Sequence, residues 1–124
     1  MEQSRPLIVI IEDDDSVRML LERALSTSYE VEAIATGPDA MIRILEPPVP
    51  ALLICDVMLP GVDGLTIARR AKSTLWSRVP ILFLTARTTP QDVIKGIQAG
   101  ARQYITKPFK LKDLEERVKK VLGQ

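Results

Sequence analysis

Five short apolar runs punctuate the chain, at 7–11, 29–35, 51–55, 80–85 and 102–106, and each has the length of a strand. Amphipathic stretches separate them. Val17, Leu20, Leu21, Ala24 and Leu25 share one helical face, as do Leu111, Leu114, Val118, Val121 and Leu122. Thr89-Pro90 reads as an N-cap followed by proline at the first helical position, and Gly100 is placed to end that helix. Gly37-Pro38 opens another helix, which Glu46-Pro47-Pro48-Val49-Pro50 halts with a stiff connector. The first, third and fourth runs are almost wholly apolar, the pattern of parallel strands covered on both faces. The expectation is an α/β fold in one domain over residues 1–124. It is a (βα)5 doubly wound five-stranded parallel sheet of order 2-1-3-4-5.

Composition narrows the chemistry. The 124 residues are enough for one core, with 46% hydrophobic and 27% charged residues. A formal charge of +1 gives no reason to expect nucleic-acid binding. The absence of histidine excludes histidine-based metal sites, triads and acid/base catalysis. A single cysteine, Cys55, excludes an intramolecular disulfide and fits a reducing compartment. No apolar stretch approaches a membrane span and the N-terminus lacks a signal pattern, so a cytoplasmic location with no membrane attachment is expected.

Charge patterning singles out one edge of the predicted sheet. The first strand runs into Glu12-Asp13-Asp14-Asp15, and the third delivers Asp56 to a Pro60-Gly61-Val62-Asp63-Gly64 turn. Ligands in such sheets bind beyond the carboxyl ends of the strands, where the strand order reverses. Here the reversal lies between strands one and three, which brings Glu12, Asp13 and Asp56 together. Two like charges 4 Å apart repel by ~4 kcal/mol at an effective dielectric near 20, and a divalent cation relieves that better than protonation. Oxygen-only ligation favours Mg2+, or a similar hard ion such as Mn2+. Strand four ends in the Thr85 hydroxyl and strand five in the Lys107 ammonium. A carboxylate nucleophile, a cation site, a hydroxyl and a lysine are the parts needed to form an aspartyl phosphate.

These pieces resemble the receiver domain of bacterial two-component response regulators, the family typified by the single-domain chemotaxis regulator. The matching motifs are Ile11-Glu12-Asp13-Asp14, Asp56 to Gly64, Leu84-Thr85-Ala86 and Lys107-Pro108-Phe109, in family order and at family spacing across essentially the whole chain. The resemblance implies a flavodoxin-like receiver fold and a switching function. Asp56 accepts a phosphoryl group from a sensor histidine kinase or phosphotransfer protein. Glu12, Asp13, Asp56 and the Met58 carbonyl hold Mg2+. Lys107 pairs with the phosphoryl oxygens and Thr85 hydrogen-bonds one of them. Tyr104 is the aromatic that swings inward as Thr85 moves, and the Lys107–Pro108 peptide is cis. The α4-β5-α5 surface then changes its affinity for a downstream protein or fused output domain. Such a chain phosphorylates itself without turning over a diffusible product, so it is not an enzyme in the ordinary sense.

Other positions carry simpler roles. Asp14 or Asp15 caps the first helix, and Asp63 with Gly64 shapes a turn and caps the third. Cys55 alternates with Asp56 along the strand and points the opposite way as a small core residue. Trp76, placed near the end of helix three, serves packing or a partner surface. Met58 and Arg87 lie two residues past Asp56 and Thr85, positions that set phosphate lifetime in the family. An apolar Met58 cannot orient an attacking water, which implies slow self-dephosphorylation.

The chain also departs from its relatives. The winged-helix transcription-factor branch has an acidic pair before the strand-five aromatic, where this chain has Arg102-Gln103. That weakens the case for that branch's symmetric dimer and leaves a monomer or a differently built phosphorylation-dependent dimer. Among alternatives, a phosphorylation-independent interaction module would not need Glu12, Asp13, Asp56, Thr85 and Lys107 together. A phosphohydrolase would want a second aspartate at position 58, and a flavodoxin-like cofactor binder would want a glycine-rich loop where four acids stand.

Overall fold

The computed structural model describes residues 5–124. Ten elements alternate along the chain. They are β1 (Leu7–Ile11), α1 (Asp15–Leu25), β2 (Glu30–Ile34), α2 (Gly37–Arg43), β3 (Leu52–Cys55), α3 (Gly64–Ala71), β4 (Ile81–Thr85), α4 (Pro90–Gln98), β5 (Ala101–Thr106) and α5 (Leu111–Val121). The strands form one parallel sheet in the order β2-β1-β3-β4-β5, the doubly wound arrangement expected from the pattern.

Alternation along each central strand sorts side chains into two cores, because successive residues face opposite sides of a sheet. Val9, Ile11, Leu53, Cys55, Ile81 and Phe83 face one side and pack with Ala40 and Ile44 from α2 and its end, Ile67 and Ala68 of α3, and Trp76. Ile8, Ile10, Leu52, Ile54, Leu82 and Leu84 face the other side and meet Leu21 and Leu25 of α1 and Leu114 and Val118 of α5. Covering both faces is what the unbroken apolar runs require.

Local chemistry starts the helices where the sequence suggests. Asp14 caps α1 by accepting from the Val17 N–H at 3.1 Å, and Asp63 caps α3 through the Thr66 N–H at 2.9 Å. Thr89 and Asp92 exchange side-chain-to-backbone bonds at the start of α4, a capping box with Pro90 at the first helical position. Gly100 follows the end of α4 with φ +107°, the left-handed conformation that glycine adopts without strain.

Several readings need correction. Ala51 lies outside β3, Pro80 lies outside β4, and Ala101 joins β5. Tyr29 and Ala35 lie outside β2. Tyr29 closes the turn after α1 and its phenol donates to Gln124 Oε1 at 2.7 Å. Leu20 belongs to the apolar stripe of α1 by spacing, yet it is 46% exposed at the stripe's edge. Trp76 lies past α3, which ends at Ala71, and it is a packing residue rather than surface. Its ring is 1% exposed, its Nε1–H donates to the Glu46 carbonyl at 3.0 Å, and the Arg43 guanidinium sits 5.0 Å above the ring. Arg43 also donates to Glu46 O and Pro48 O, so Trp76 and Arg43 together tie down the connector after α2. Both the Pro47–Pro48 and the Lys107–Pro108 peptides are cis.

The Trp76 clasp gives a stability prediction. In Trp76→Phe the Glu46 carbonyl keeps its bond from Arg43, so no acceptor is orphaned and the loss is one hydrogen bond plus ring volume. Urea unfolding should show a destabilisation of about 1–2 kcal/mol. A change within error would mean that the clasp carries no net stability.

Candidate functional site

Strand register assembles the site. Ile11 pairs with Cys55, so Glu12 and Asp56 each stand one residue beyond the same rung of the β1–β3 ladder. The Asp56 N–H donates to Ile11 O at 3.0 Å, and the Glu12 N–H donates to Ile34 O at 3.0 Å. On the other side of β3, Thr85 pairs with Thr106, and the Lys107 N–H donates to Thr85 O at 2.8 Å. Three strand ends therefore deliver two carboxylates and an ammonium to one point.

That point is closely bonded. Lys107 Nζ donates to Glu12 Oε1 at 2.7 Å and to Asp56 Oδ2 at 2.8 Å. Glu12 Oε2 accepts from the Asp14 N–H at 3.1 Å, and Asp56 Oδ1 accepts from the Met58 N–H at 2.9 Å. Glu12 and Asp56 are buried, whereas Asp13 faces solvent. Carboxylate oxygens of Glu12, Asp13 and Asp56 all lie within 4.8 Å of one another.

Burial sets the electrostatics. Desolvation pushes the Glu12 carboxyl above its ordinary value, and its bonds from Lys107 and the Asp14 N–H offset only part of the rise. Burial also works to lower the Lys107 pKa. Hydrogen bonds to Asp56 and Glu12 more than reverse that, and the ammonium titrates above its ordinary value. Cys55 is fully buried in the opposite core, where desolvation pushes its thiol well up, so it is a small apolar side chain as expected.

A chain of bonds leaves the site through the loop after β4. The buried Thr85 Oγ1 accepts from the Arg87 N–H at 3.3 Å, and the Tyr104 hydroxyl donates to the Arg87 carbonyl at 2.9 Å. Burial raises the Tyr104 phenol pKa. The Thr85 hydroxyl thus bonds within its own loop rather than to the Asp56 or Lys107 side chains. Arg87 takes part through its peptide, and Met58 reaches Asp56 through its N–H while its side chain is 50% exposed at the mouth of the site.

Two supporting residues escaped the sequence reading. Arg18 Nη1 donates to the Glu12 carbonyl at 3.0 Å and to the Asp13 carbonyl at 3.4 Å, fixing the acidic segment from α1. Its position on the second turn of α1 was the available signal. Gly64 is more than a turn former. A Cβ there would stand 2.1 Å from the Asp56 carbonyl oxygen, so only glycine lets α3 begin against the loop that carries Asp56. The glycine was visible in sequence, but the approach was not.

The donor set fits a hard divalent cation. All three candidate ligands are carboxylates, and Asp13 leaves one side open to water, as Mg2+ prefers. An apolar cleft of about 410 Å3, lined by Val17, Leu20, Lys107, Pro108 and Phe109, opens beside the lysine. Among the described residues no helix is long and apolar enough to cross a membrane.

Comparison with known proteins decides the family. The response regulator receiver domain profile matches residues 8–119. The chain belongs to the response regulator receiver family. It is 39% identical over 118 residues to the transcriptional regulatory protein AfsQ1 of Streptomyces coelicolor, covering 94% of this chain and 51% of that protein. The receiver thus spans about half the length of the curated relatives it matches. Among solved structures, the BeF3-activated receiver domain of DrrB, from Thermotoga maritima, superposes with a TM-score of 0.87 at 31% identity over 97% of this chain and 99% of that one. The receiver domain of the sensor histidine kinase PA1611 from Pseudomonas aeruginosa, with a magnesium ion coordinated in its active site cleft, gives a TM-score of 0.87 at 28% identity. It is covered over 98% of this chain and 100% of that one. In this receiver the Glu12–Asp13–Asp56 group is likewise suited to a metal ion.

The electrostatics predict a pH signature. A carboxyl whose pKa is raised on folding destabilises the folded state above that raised value and costs nothing below its unfolded value. Glu12→Gln should therefore make the receiver more stable at neutral pH, with the gain disappearing as the pH falls below the ordinary glutamate range. Chemical denaturation at several pH values checks this. A neutral-pH loss instead would mean that the Lys107 ion pair outweighs desolvation.

Proposed function

We propose that Asp56 is a phosphoacceptor and that the receiver is a phosphorylation switch. The observation that supports this best is the Lys107 ammonium, bonded at once to Asp56 and Glu12, two members of a carboxylate group whose oxygens, with those of Asp13, lie within 4.8 Å of one another. A carboxylate oxygen of Asp56 attacks the phosphorus of a phosphohistidine. The new P–O bond forms as the P–N bond breaks, and the donor's imidazole nitrogen leaves with the bonding pair and takes up a proton. A Mg2+ ion held by Glu12, Asp13 and Asp56, with the Met58 carbonyl, would supply neutralisation of the crowded anionic charge. Lys107 does the rest of that work. Its ammonium moves its bond from Asp56 to a phosphoryl oxygen while Glu12 keeps it in place. The Met58 N–H continues to orient the Asp56 carboxyl group. Positioning and charge neutralisation are the main sources of rate in phosphoryl transfer, so no general acid from this chain is needed.

The added group carries roughly two negative charges at a buried point. The Thr85 hydroxyl is free to donate to a phosphoryl oxygen while it accepts from the Arg87 N–H. Movement of Thr85 is transmitted to the Arg87 peptide and from its carbonyl to Tyr104. The α4-β5-α5 surface follows, as a shift between two conformers rather than a rigid lever. The donor is a sensor histidine kinase or phosphotransfer protein, and the reader is a downstream protein or attached output domain. The only reactions are the receiver's own phosphorylation and its slow reversal.

Incubation with Mg2+ and acetyl phosphate, followed by intact-mass measurement, tests the reading. Native protein should gain the mass of one phosphoryl group and Asp56→Asn should gain none. An adduct that survives Asp56→Asn, or no adduct on native protein, would overturn it.

Phosphate lifetime makes a second prediction, because the exposed Met58 thioether has no donor or acceptor suited to positioning water. The phosphoprotein should persist for minutes without a phosphatase, and Met58→Asn should shorten its lifetime severalfold. Decay of native phosphoprotein within seconds would sink this expectation.

A further inference from the structure

We infer that Gly96 is a positioning residue for Tyr104. Its missing side chain is the seat that lets the Tyr104 ring lie under α4, and the seat sets how tightly α4 follows Asp56. This rests on the phosphoacceptor reading for its functional consequence, while the seat itself stands on geometry.

Gly96 lies in the last turn of α4 and is buried there. Glycine weakens a helix interior by about a factor of five relative to alanine, so its presence calls for a reason. Backbone conformation is not the reason, since the positive-φ glycines are Gly61, Gly100 and Gly123. Space is. A Cβ on residue 96 would stand 2.7 Å from Cε2 and 2.8 Å from Cδ2 of Tyr104, where ordinary carbon contacts are ~3.5–4.0 Å. It would also stand 3.5 Å from Cδ2 of Phe83.

The ring has little room to retreat. Tyr104 pairs with Phe83 across the β4–β5 ladder, and the two rings meet edge to face with centroids 6.2 Å apart. At its far end the hydroxyl donates to the Arg87 carbonyl at 2.9 Å. The phenol is held between strand, helix and loop, with the helix contact made by bare backbone. A methyl group at position 96 must either displace the ring or lift α4 from β5. Both lengthen the Tyr104–Arg87 bond, and the Arg87 peptide is the unit that also bonds Thr85. Gly96 is thus coupled to Thr85 through Tyr104 without touching either Thr85 or Asp56.

The test uses Gly96→Ala and Tyr104→Ala singly and together. Tyr29 and Tyr104 are the two tyrosines of the chain, so 3-fluorotyrosine labelling gives two 19F resonances. In Gly96→Ala the Tyr104 resonance should shift, its phenol should titrate closer to the ordinary value, and the Tyr29 resonance should stay in place. Beryllofluoride stands in for the phosphoryl group. Its binding favours the seated ring, so Gly96→Ala should weaken its apparent affinity by about fivefold, the low end of ordinary site-to-site coupling, and an unchanged affinity would overturn the coupling to Asp56. In the Tyr104→Ala background the same substitution should leave beryllofluoride affinity unchanged and shift the unfolding equilibrium about fivefold toward the folded state, as helix propensity alone dictates. Unfolding of Gly96→Ala that is rescued by Tyr104→Ala supports the seat equally. An unmoved Tyr104 resonance, or the same effect in both backgrounds, would overturn it. Failure of native protein to bind beryllofluoride would instead overturn the phosphoacceptor reading, and the 19F shift would still report on the seat.

Discussion

The structure depends on one ammonium group. Lys107 Nζ bonds carboxylates from two other strand ends, Glu12 after β1 and Asp56 after β3, and so joins β5 to the middle of the sheet across β4. The two carboxylates are almost wholly removed from water. Without a cation between them they would repel and lose solvation together. With one, the edge of the sheet becomes a defined anionic pocket with a single charge that can change partners. This requirement is met only by the observed topology. Had β3 not lain beside β1, or had the β1–β3 register slipped by one, Asp56 would face a core or miss Glu12. Fold and site are therefore one constraint.

How much of this was legible in sequence follows from the range of each interaction. Parallel strands announce themselves through local apolar runs, and the N-caps at Asp14, Asp63 and Thr89 through local donors and acceptors. The site acids and Lys107 were legible because each ends a strand, and strand order carries them together. Strand limits shifted by a residue or two at β2, β3, β4 and β5, where ladder partners rather than hydrophobicity decide the last bond. Leu20 shows the limit of periodicity. Spacing assigns it to the apolar stripe, but how far α1 is rolled against the sheet decides which edge is covered. Trp76 and Arg43 form a contact across thirty-odd residues, and no local pattern specifies it. Gly64 and Gly96 are the clearest case. A glycine in sequence says that a side chain is missing, never which atoms occupy the space.

Those two glycines act alike at opposite sides of the site. Gly64 lets α3 start against the Asp56 carbonyl, and Gly96 lets the Tyr104 ring touch the backbone of α4. One brings a helix close to Asp56 and the other brings an aromatic close to a helix. Close approach matters in both places because a contact at van der Waals distance transmits a displacement that a looser one absorbs. Between them runs the path Asp56, Lys107, the Lys107–Thr85 backbone bond, Thr85, the Arg87 peptide and Tyr104.

Local rules of stability are broken along this path and largely kept elsewhere. Glu12 is buried at a cost that its hydrogen bonds do not fully offset. Gly96 sits in the last turn of α4, where its missing side chain admits the Tyr104 ring. Each exception weakens the resting fold slightly, and each lies at the acidic pocket or on the route from it to α4. Departures from local stability rules thus concentrate at the charged edge of the sheet and along the bonds that connect it to α4.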